Sequence, residues 1–244
     1  MNVLILAAGE KQPASGSPVY PTWLSEIEGT LLLERQVKAL QAAESARFIF
    51  LFRHEDVETY YLNDIIGQIA PGSVTIGLRG ETAGAACTAL LAIGDIDMDA
   101  ELVVASATDQ IDVDFAAVIA GFRNQGADAG ILTFPSLHPR YSYVRIDAEG
   151  WVVESSEKRP ISRSASTGLY WFRKASDFFD GAKEMILKDA HVQNKFFICP
   201  ILNELILCQK KIGVYRLTTD QYHPLKSDKQ VDHLESLLEE GATA

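Results

Sequence analysis

Short apolar runs alternate with segments of helical periodicity over the first half of the chain. Apolar runs without a polar interruption are typical of strands that are covered on both faces of a sheet. Strands of this kind are predicted at 3–6, 48–52, 74–78 and 102–105. Helices, with apolar residues at helical spacing, are predicted at 31–43, 56–69, 83–93 and 114–124. This alternation of strand and helix favours a parallel, doubly wound sheet.

The second half of the chain has a different pattern, with more frequent strands. Strands are predicted at 129–134, 142–146, 152–154, 168–172 and 212–217, and helices at 176–188, 199–207 and 229–239. Residues 147–150, Asp-Ala-Glu-Gly, are typical of a turn between two hairpin strands. Because no repeat or linker divides the chain, we predict one α/β domain over residues 1–244, with a mixed, mainly parallel sheet flanked by helices.

Two loops follow predicted strands at the edge where such sheets bind ligands. In doubly wound sheets, ligands bind beyond the carboxyl ends of the strands, where the strand order reverses. The loop over 9–23 follows the first predicted strand, and the loop over 107–112 follows the fourth. We therefore expect the functional site to include both loops.

Composition and charge restrict the classes of partner. The hydrophobic fraction of 47% is ordinary for a globular protein, and no run approaches the roughly 18 apolar residues of a membrane span. The N-terminal apolar stretch is short and lacks a positive region, which argues against a secretory signal. We expect a cytoplasmic protein with no membrane partner, and we expect Cys87, Cys199 and Cys208 to be free, buried thiols.

The net charge of −11 argues against a nucleic-acid partner, which would favour a basic face. A nucleotide ligand is still compatible with this charge. A divalent metal and a few local Lys or Arg side chains can neutralise phosphates in an acidic protein.

Leu6-Ala7-Ala8-Gly9 and the residues that follow resemble the start of the sugar-phosphate nucleotidyltransferases, or nucleoside-diphosphate-sugar pyrophosphorylases. In that family, L-A-A-G-x-G-x-R at the end of a strand is followed by P-K-x-L and by a helix of the form L-L-E-R. Segment 20–35 of this chain has matching spacing and ends in Leu32-Leu33-Glu34-Arg35. Further matches occur in the family's order at 81–90, 105–110, 153–160, 167–172 and 222–228.

This resemblance covers nearly the whole chain and is greatest to bacterial capsule and surface-polysaccharide members. It implies a Rossmann-like, GT-A-type fold and transfer of a nucleotidyl group from a nucleoside triphosphate to a phosphorylated sugar or similar acceptor, with release of pyrophosphate. It implies Mg²⁺ as cofactor, Asp109 as catalytic metal ligand, and Lys158 as the catalytic residue that meets the acceptor phosphate. The implied nucleotide-binding residues are Ala7, Ala8, Gly9, Lys11, Glu81, Thr82 and Gly84, and Gly168 joins Lys158 in the acceptor site.

Each of these residues also has a structural interpretation. Asp109 follows a buried strand, where a carboxylate suits Mg²⁺ but can equally cap a following helix. Gly84 and its small neighbours would let a flat base approach the backbone, or would allow tight packing of a helix on the sheet. Gly168 suits either a sugar ring or a β-bulge. Lys11 and Lys158 are also compatible with solvated surface charges.

The family signature is altered in this sequence. Alignment from Gly9 puts Pro13 at the Arg position and Thr22 at the Lys of P-K-x-L, and in the family this Arg and Lys hold the triphosphate and pyrophosphate. Pro224 occupies the position where many members carry a second metal-binding Asp. Removal of one preorganised charge contact commonly costs about 10²–10³ in rate.

Two other functions therefore stay open. The first is a catalytically degenerate relative that binds a nucleotide or a nucleotide sugar. The second is a GT-A-type glycosyltransferase, although Thr108-Asp109-Gln110 lacks the Asp-x-Asp motif that such enzymes usually carry. The sequence does not identify the base, the acceptor or the oligomeric state.

Overall fold

The computed structural model describes residues 1–9, 20–41, 46–225 and 228–242, apart from the side chains of 228 and 237–242. The strands are β1 (Asn2–Leu6), β2 (Glu26–Ile27), β3 (Thr30–Leu31), β4 (Arg47–Arg53), β5 (Val74–Leu78), β6 (Leu102–Ser106), β7 (Asp109–Ile111), β8 (Ala129–Pro135), β9 (Ser142–Ile146), β10 (Val152–Glu157), β11 (Ser164–Phe172), β12 (Ile212–Arg216) and β13 (Tyr222–Pro224). The α-helices are α1 (Leu32–Gln41), α2 (His54–Thr59), α3 (Leu62–Ile69), α4 (Ala85–Leu90), α5 (Phe115–Asn124), α6 (Ala175–Leu187), α7 (Ile201–Leu207) and α8 (Asp228–Ala242).

Nine of these strands form one mixed sheet. Its main path runs β10-β9-β11-β6-β1-β4-β5, while β8 pairs with β11 and with β12. Strands β6, β1, β4 and β5 are parallel, and β11 runs antiparallel to β6. The predicted α/β fold with a mixed, mainly parallel sheet flanked by helices is therefore confirmed.

The continuous apolar runs of β1 and β4 are explained by burial on both faces of the sheet. Side chains alternate between the two faces of a strand, so Ile5 and Phe50 pack on one face and Leu4 and Ile49 on the other. The first face is covered mainly by α1, α3 and α5, and the second by α4, α6 and α7. This arrangement leaves the carboxyl ends of the parallel strands at one edge.

The strand order reverses at β1. From β1, the chain proceeds to β4 and β5 on one side and then returns to β6 on the other. Both neighbours are in parallel register with β1, with Val3 opposite Phe48 in β4 and opposite Val103 in β6. Gly9, which starts the first predicted loop, and the predicted loop at 107–112 therefore lie at the carboxyl edge of the switch point.

Two short ribbons are additions to the predicted elements. Strands β2 and β3 form a hairpin whose turn residues, Glu28 and Gly29, have φ values of 51° and 70°, as a type I′ turn requires. Strands β7 and β13 pair antiparallel beside the main sheet, with Asp109 opposite Pro224. This second ribbon brings residues 222–224 against the strand that carries Asp109.

Two predicted helices differ in the structure. The segment predicted as one helix over 56–69 forms α2 and α3, which are separated by Tyr61 at a left-handed φ of 51°. The helix predicted over 83–93 is shortened to α4 and a 3-10 turn at Ile93–Asp95. Local backbone geometry, which periodicity does not encode, ends both helices early.

The predicted turn at 147–150 is confirmed, since β9 and β10 form a hairpin and Asp147 N–H donates to the Trp151 carbonyl at 2.9 Å. The expectation of three buried thiols is wrong for Cys208, which is exposed; Cys199 is buried and Cys87 is partly buried. Among the described residues, no helix has the length and apolar character needed to cross a membrane.

Candidate active site

The end of β1 places Ala7, Ala8 and Gly9 at the switch point. Ala7 N–H donates to the Leu51 carbonyl of β4 at 2.9 Å, so the chain stays in register for one residue beyond the strand. Ala8 is half-buried and Gly9 is exposed. Within the described part of the chain, no acceptor is recorded for the N–H groups of Ala8 and Gly9. Among the described residues, these two backbone donors therefore have no protein acceptor, and they lie at the edge where doubly wound sheets bind ligands.

Part of the predicted loop, including Lys11 and Pro13, lies outside the described residues. Thr22, which replaces the family's Lys, begins a 3-10 turn at Thr22–Leu24 and is half-buried, and its carbonyl accepts from Ser25 N–H at 3.0 Å. A threonine there contributes no positive charge to the edge.

The segment at 81–90, which resembles the family's nucleobase-binding segment, begins with a turn at Glu81 to Gly84 and continues into α4. The Thr82 hydroxyl donates to the Gly84 carbonyl at 3.1 Å and shares a hydrogen bond of 2.6 Å with the Thr88 hydroxyl. The Thr82 side chain is thus used within the turn. Glu81 is exposed, which leaves its carboxylate and the turn's backbone as the groups available to a base.

Gly84 is required by a close backbone contact. Its φ is 115°, and a Cβ at this position would lie 2.5 Å from the Phe196 carbonyl oxygen. Phe196 N–H donates to the Ala83 carbonyl at 2.7 Å, and Ala86 N–H donates to the Phe196 carbonyl at 3.0 Å. Of the two interpretations given to Gly84, tight packing is therefore observed, although against a loop and not against the sheet.

Asp109 begins β7 and is only 5% exposed. The Tyr222 hydroxyl, on the paired strand β13, donates to its Oδ1 at 3.0 Å. Burial, together with the charge of Asp109, raises the pKa of Tyr222 well above its usual range. The phenol therefore stays protonated and acts as a donor to the carboxylate.

Gly168 lies beside Asp109 at an irregularity in β11. Its φ is 88°, and a Cβ there would be 3.4 Å from Asp109 Oδ2. The pairing of β11 with β8 shifts between Ser166 and Tyr170, so Gly168 occupies the bulge. The bulge interpretation is thus observed. Contact with an acceptor sugar stays a prediction.

A small cavity borders the same carboxylate. Gln36, Asp109 and Gly168 are among its lining residues, and its volume is about 20 Å³, enough for about one water molecule. The Gln36 amide donates to the carbonyls of Ser106 and Asp109. Its Oε1 is buried and has no partner among the described residues. The α1 helix is thus tied to the loop before β7.

Lys158 follows β10 and has an unusual backbone. Its φ of 54° is left-handed, and its N–H donates to the Tyr141 carbonyl at 3.1 Å. The ammonium group donates to Gln193 Oε1 at 2.9 Å and lies 4.8 Å from the centre of the Phe197 ring. Lys158 is therefore held by the chain segment that also contacts Gly84.

The structure collects the predicted residues into two groups. Asp109 and Gly168 lie together with Tyr222, while Gly84 and Lys158 are connected through the segment that contains Phe196 and Phe197. The sequence signal for Gln36 was a polar residue on the apolar face of a predicted helix. Tyr222 stands in the family-like segment at 222–228, but nothing marked it as a partner of Asp109. Gln193 and the two phenylalanines gave no signal, because their contacts join positions that are distant in the sequence.

The fold is that of solved nucleoside-diphosphate-sugar pyrophosphorylases and related nucleotidyltransferases. A scan of protein-family models finds none that matches the chain, and a search of curated proteins also finds no match. Solved structures, in contrast, match over almost the full length.

A nucleoside-diphosphate-sugar pyrophosphorylase from Vibrio cholerae RC9 matches 97% of this chain and 100% of its own, at 21% sequence identity and a TM-score of 0.82. The inositol-1-phosphate CTP transferase from T. maritima matches 98% of this chain and 96% of its own, at 14% identity and a TM-score of 0.74. A UDP-glucose pyrophosphorylase complexed with UDP-glucose matches 98% of both chains, at 16% identity and a TM-score of 0.74. The resemblance predicted from the motifs is thereby confirmed for the fold.

Proposed function

We propose that the chain binds a nucleoside triphosphate at the switch point and transfers its nucleotidyl group to a phosphorylated sugar or a similar acceptor. The observation that carries this proposal is the pair of N–H groups at Ala8 and Gly9, which have no acceptor among the described residues and lie at the carboxyl edge beside the order reversal. Backbone N–H groups at such an edge are suited to phosphate oxygens. The solved nucleotidyltransferases of the same fold support the assignment.

In this reaction an oxygen of the acceptor phosphate attacks the α-phosphorus of the triphosphate. The bond from the α-phosphorus to the bridging oxygen breaks, and pyrophosphate leaves with that electron pair. Protein groups contribute by alignment and by stabilising the charge that develops. Ala8 and Gly9 would donate to triphosphate oxygens, and Lys158 would contact the acceptor phosphate.

Mg²⁺ normally accompanies a triphosphate and takes six ligands, of which one or two are protein carboxylates. Asp109, the predicted ligand, is buried, accepts a hydrogen bond from Tyr222 and borders a cavity for about one water. In this arrangement the Asp109 carboxylate is in place, but Pro224, opposite it on β13, carries no second carboxylate for such an ion. No group of three metal-binding side chains occurs within the described ranges. The role of Asp109 in metal binding stays a prediction, and the steps above do not use it.

A second candidate function is nucleotide or nucleotide-sugar binding without transfer. The observation that favours it is the pairing of Asp109 with Pro224. The position that the resemblance assigns to a second metal-binding Asp does lie next to Asp109, but its residue carries no carboxylate. Thr22 likewise supplies no charge where the family has Lys.

An assay of pyrophosphate release distinguishes the two functions. The four common nucleoside triphosphates would be tested with Mg²⁺ and a panel of sugar 1-phosphates, using wild type, Lys158→Met and Thr22→Lys. Transfer predicts release with one triphosphate, and Lys158→Met raises the KM for the acceptor while the KM for the triphosphate is unchanged.

Triphosphate binding without pyrophosphate release in wild type would contradict transfer and support the second candidate. Activity gained in Thr22→Lys would show that a binding protein had lost its catalytic cation. The wider use that we propose for transfer is the supply of nucleotide sugars for surface polysaccharides, in the cytoplasm where triphosphates are made.

A further inference from the structure

Residues 191–199, named here the bridging segment, contact both predicted halves of the site. The segment lies between α6 and α7 and contains a tight turn, in which Val192 and Lys195 pair and Gln193 and Asn194 have φ values of 52° and 60°. Left-handed backbone at non-glycine residues is uncommon and often occurs where function constrains the chain. We therefore expect the contacts of this turn to have a role in the candidate site.

On the nucleotide side, the bridging segment fixes the turn before α4 through its backbone. Phe196 exchanges hydrogen bonds with Ala83 and Ala86 at 2.7 and 3.0 Å. Gly84 packs so closely on Phe196 that a Cβ would lie 2.5 Å from the Phe196 carbonyl oxygen. A displacement of Phe196 would therefore also displace residues 83–86.

On the acceptor side, the same segment holds Lys158 through its side chains. The ammonium group donates to Gln193 Oε1 at 2.9 Å and faces the Phe197 ring at 4.8 Å, within the range of a cation–π interaction. Lys158 itself has a left-handed φ of 54°. These contacts set the direction of a flexible side chain that would otherwise sample many rotamers.

We infer that Gln193 and Phe197 are positioning residues for Lys158, and that the bridging segment couples the position of its ammonium group to the turn at 83–86. The acceptor-phosphate role of Lys158 rests on the proposed function, whereas the coupling rests on the contacts alone. A nucleotide that orders the turn would then also orient the cation that receives the acceptor.

The positioning of Lys158 is tested without any ligand, by the rate at which Lys158 is acylated by an N-hydroxysuccinimide ester. The full chain is labelled, and mass spectrometry of its peptides separates Lys158 from the other lysines. Phe197→Leu keeps the apolar volume and removes the aromatic face, so acylation of Lys158 rises about two- to five-fold. Phe197→Tyr keeps the face and leaves the rate unchanged. If Phe197 acted only by packing, Phe197→Leu would change the acylation rate of Lys158 no more than Phe197→Tyr does.

A glycine pair tests transmission from the other side. Gly84→Ala displaces Phe196 and raises the acylation rate of Lys158, while Gly80→Ala, whose Cβ meets no described atom within 4 Å, leaves it unchanged. Thermal unfolding shows which variants are folded at the assay temperature. If Gly84→Ala does not fold, hydrogen exchange at the Ala86 N–H, which donates to Phe196 at 3.0 Å, decides the coupling: exchange should be faster in Phe197→Leu than in wild type, and an unchanged rate would overturn the coupling.

Equal acylation rates in wild type, Phe197→Leu and Phe197→Tyr would overturn the inference even if a triphosphate binds. The opposite result is also distinguishable: the Phe197→Leu effect without triphosphate binding would leave the coupling in place and remove its proposed use. With transfer active, Phe197→Leu should raise the acceptor KM by the same factor and leave the triphosphate KM unchanged.

Discussion

Asp109 and Tyr222 are 113 positions apart in the chain and meet inside the edge of the sheet. A buried carboxylate is tolerated only when donors satisfy it, and the Tyr222 hydroxyl is one such donor. The β7–β13 ribbon supplies this contact, because it places Pro224 opposite Asp109 and Tyr222 two residues earlier. The hydrogen bond therefore joins β13 to the candidate site.

Tyr222→Phe removes this donor and keeps the ring. We expect the free energy of unfolding to fall by about 1–3 kcal/mol, the usual cost of removing a partner from a buried polar group. Urea unfolding measures it, with Tyr61→Phe as the control because Tyr61 is 73% exposed. Equal stabilities of the two variants would show that the Tyr222 hydroxyl contributes nothing to the fold.

Single residues were predictable from the sequence only where a local pattern marked them. Gly84 and Lys158 stand in motif-like segments, so their positions could be anticipated, but their partner Phe196 could not. The burial of Asp109 was also beyond reach, since it depends on pairing with β13. A motif shows which residue types occur together in the sequence. Only the folded structure shows which of their atoms face a ligand.

At the scale of elements, the strands of the parallel core were the most predictable. Residues buried on both faces leave continuous apolar runs, so β1, β4, β5 and β6 were located within a residue or two. The β2–β3 and β7–β13 ribbons were missed, because strands of two or three residues carry no measurable periodicity. The helix predicted over 56–69 failed at Tyr61, where a left-handed residue interrupts an otherwise suitable pattern.

Two helical glycines give a matched test of how the helices pack. In α6, a Cβ at Gly181 would lie 2.8 Å from Leu205 Cδ1 and 2.9 Å from Ile201 Cγ2 of α7, whereas a Cβ at Gly121 in α5 meets no described atom within 4 Å. Gly181→Ala should lower the free energy of unfolding by about 1–3 kcal/mol through overpacking. Gly121→Ala should raise it by about 0.5–1 kcal/mol, because alanine loses less backbone entropy in a helix. Denaturant unfolding of both variants checks the signs, and destabilisation by Gly121→Ala would contradict the packing described for α5.

The fold of the whole molecule matches that of solved nucleotidyltransferases, but the edge that we expect to bind phosphates has an altered sequence. Solved nucleotidyltransferases match the full length of the fold at 14–21% identity. Fold does not fix activity, and the chain has Thr22 and Pro224 where the resembling family has charged groups. Ligand binding at the switch point is therefore the claim on which both candidate functions depend.

Binding of the four common nucleoside triphosphates, followed by thermal shift with and without Mg²⁺, tests that claim most directly. A ligand specific for the folded state stabilises it by roughly 2.7 kcal/mol at 100 times its dissociation constant. Gly9→Trp would block the switch point, and Gly67→Trp is the control, since a Cβ at either glycine meets no described atom within 4 Å. We predict a shift with one triphosphate in wild type and Gly67→Trp that is lost in Gly9→Trp. No shift with any triphosphate, or an equal shift in both variants, would contradict nucleotide binding at this edge.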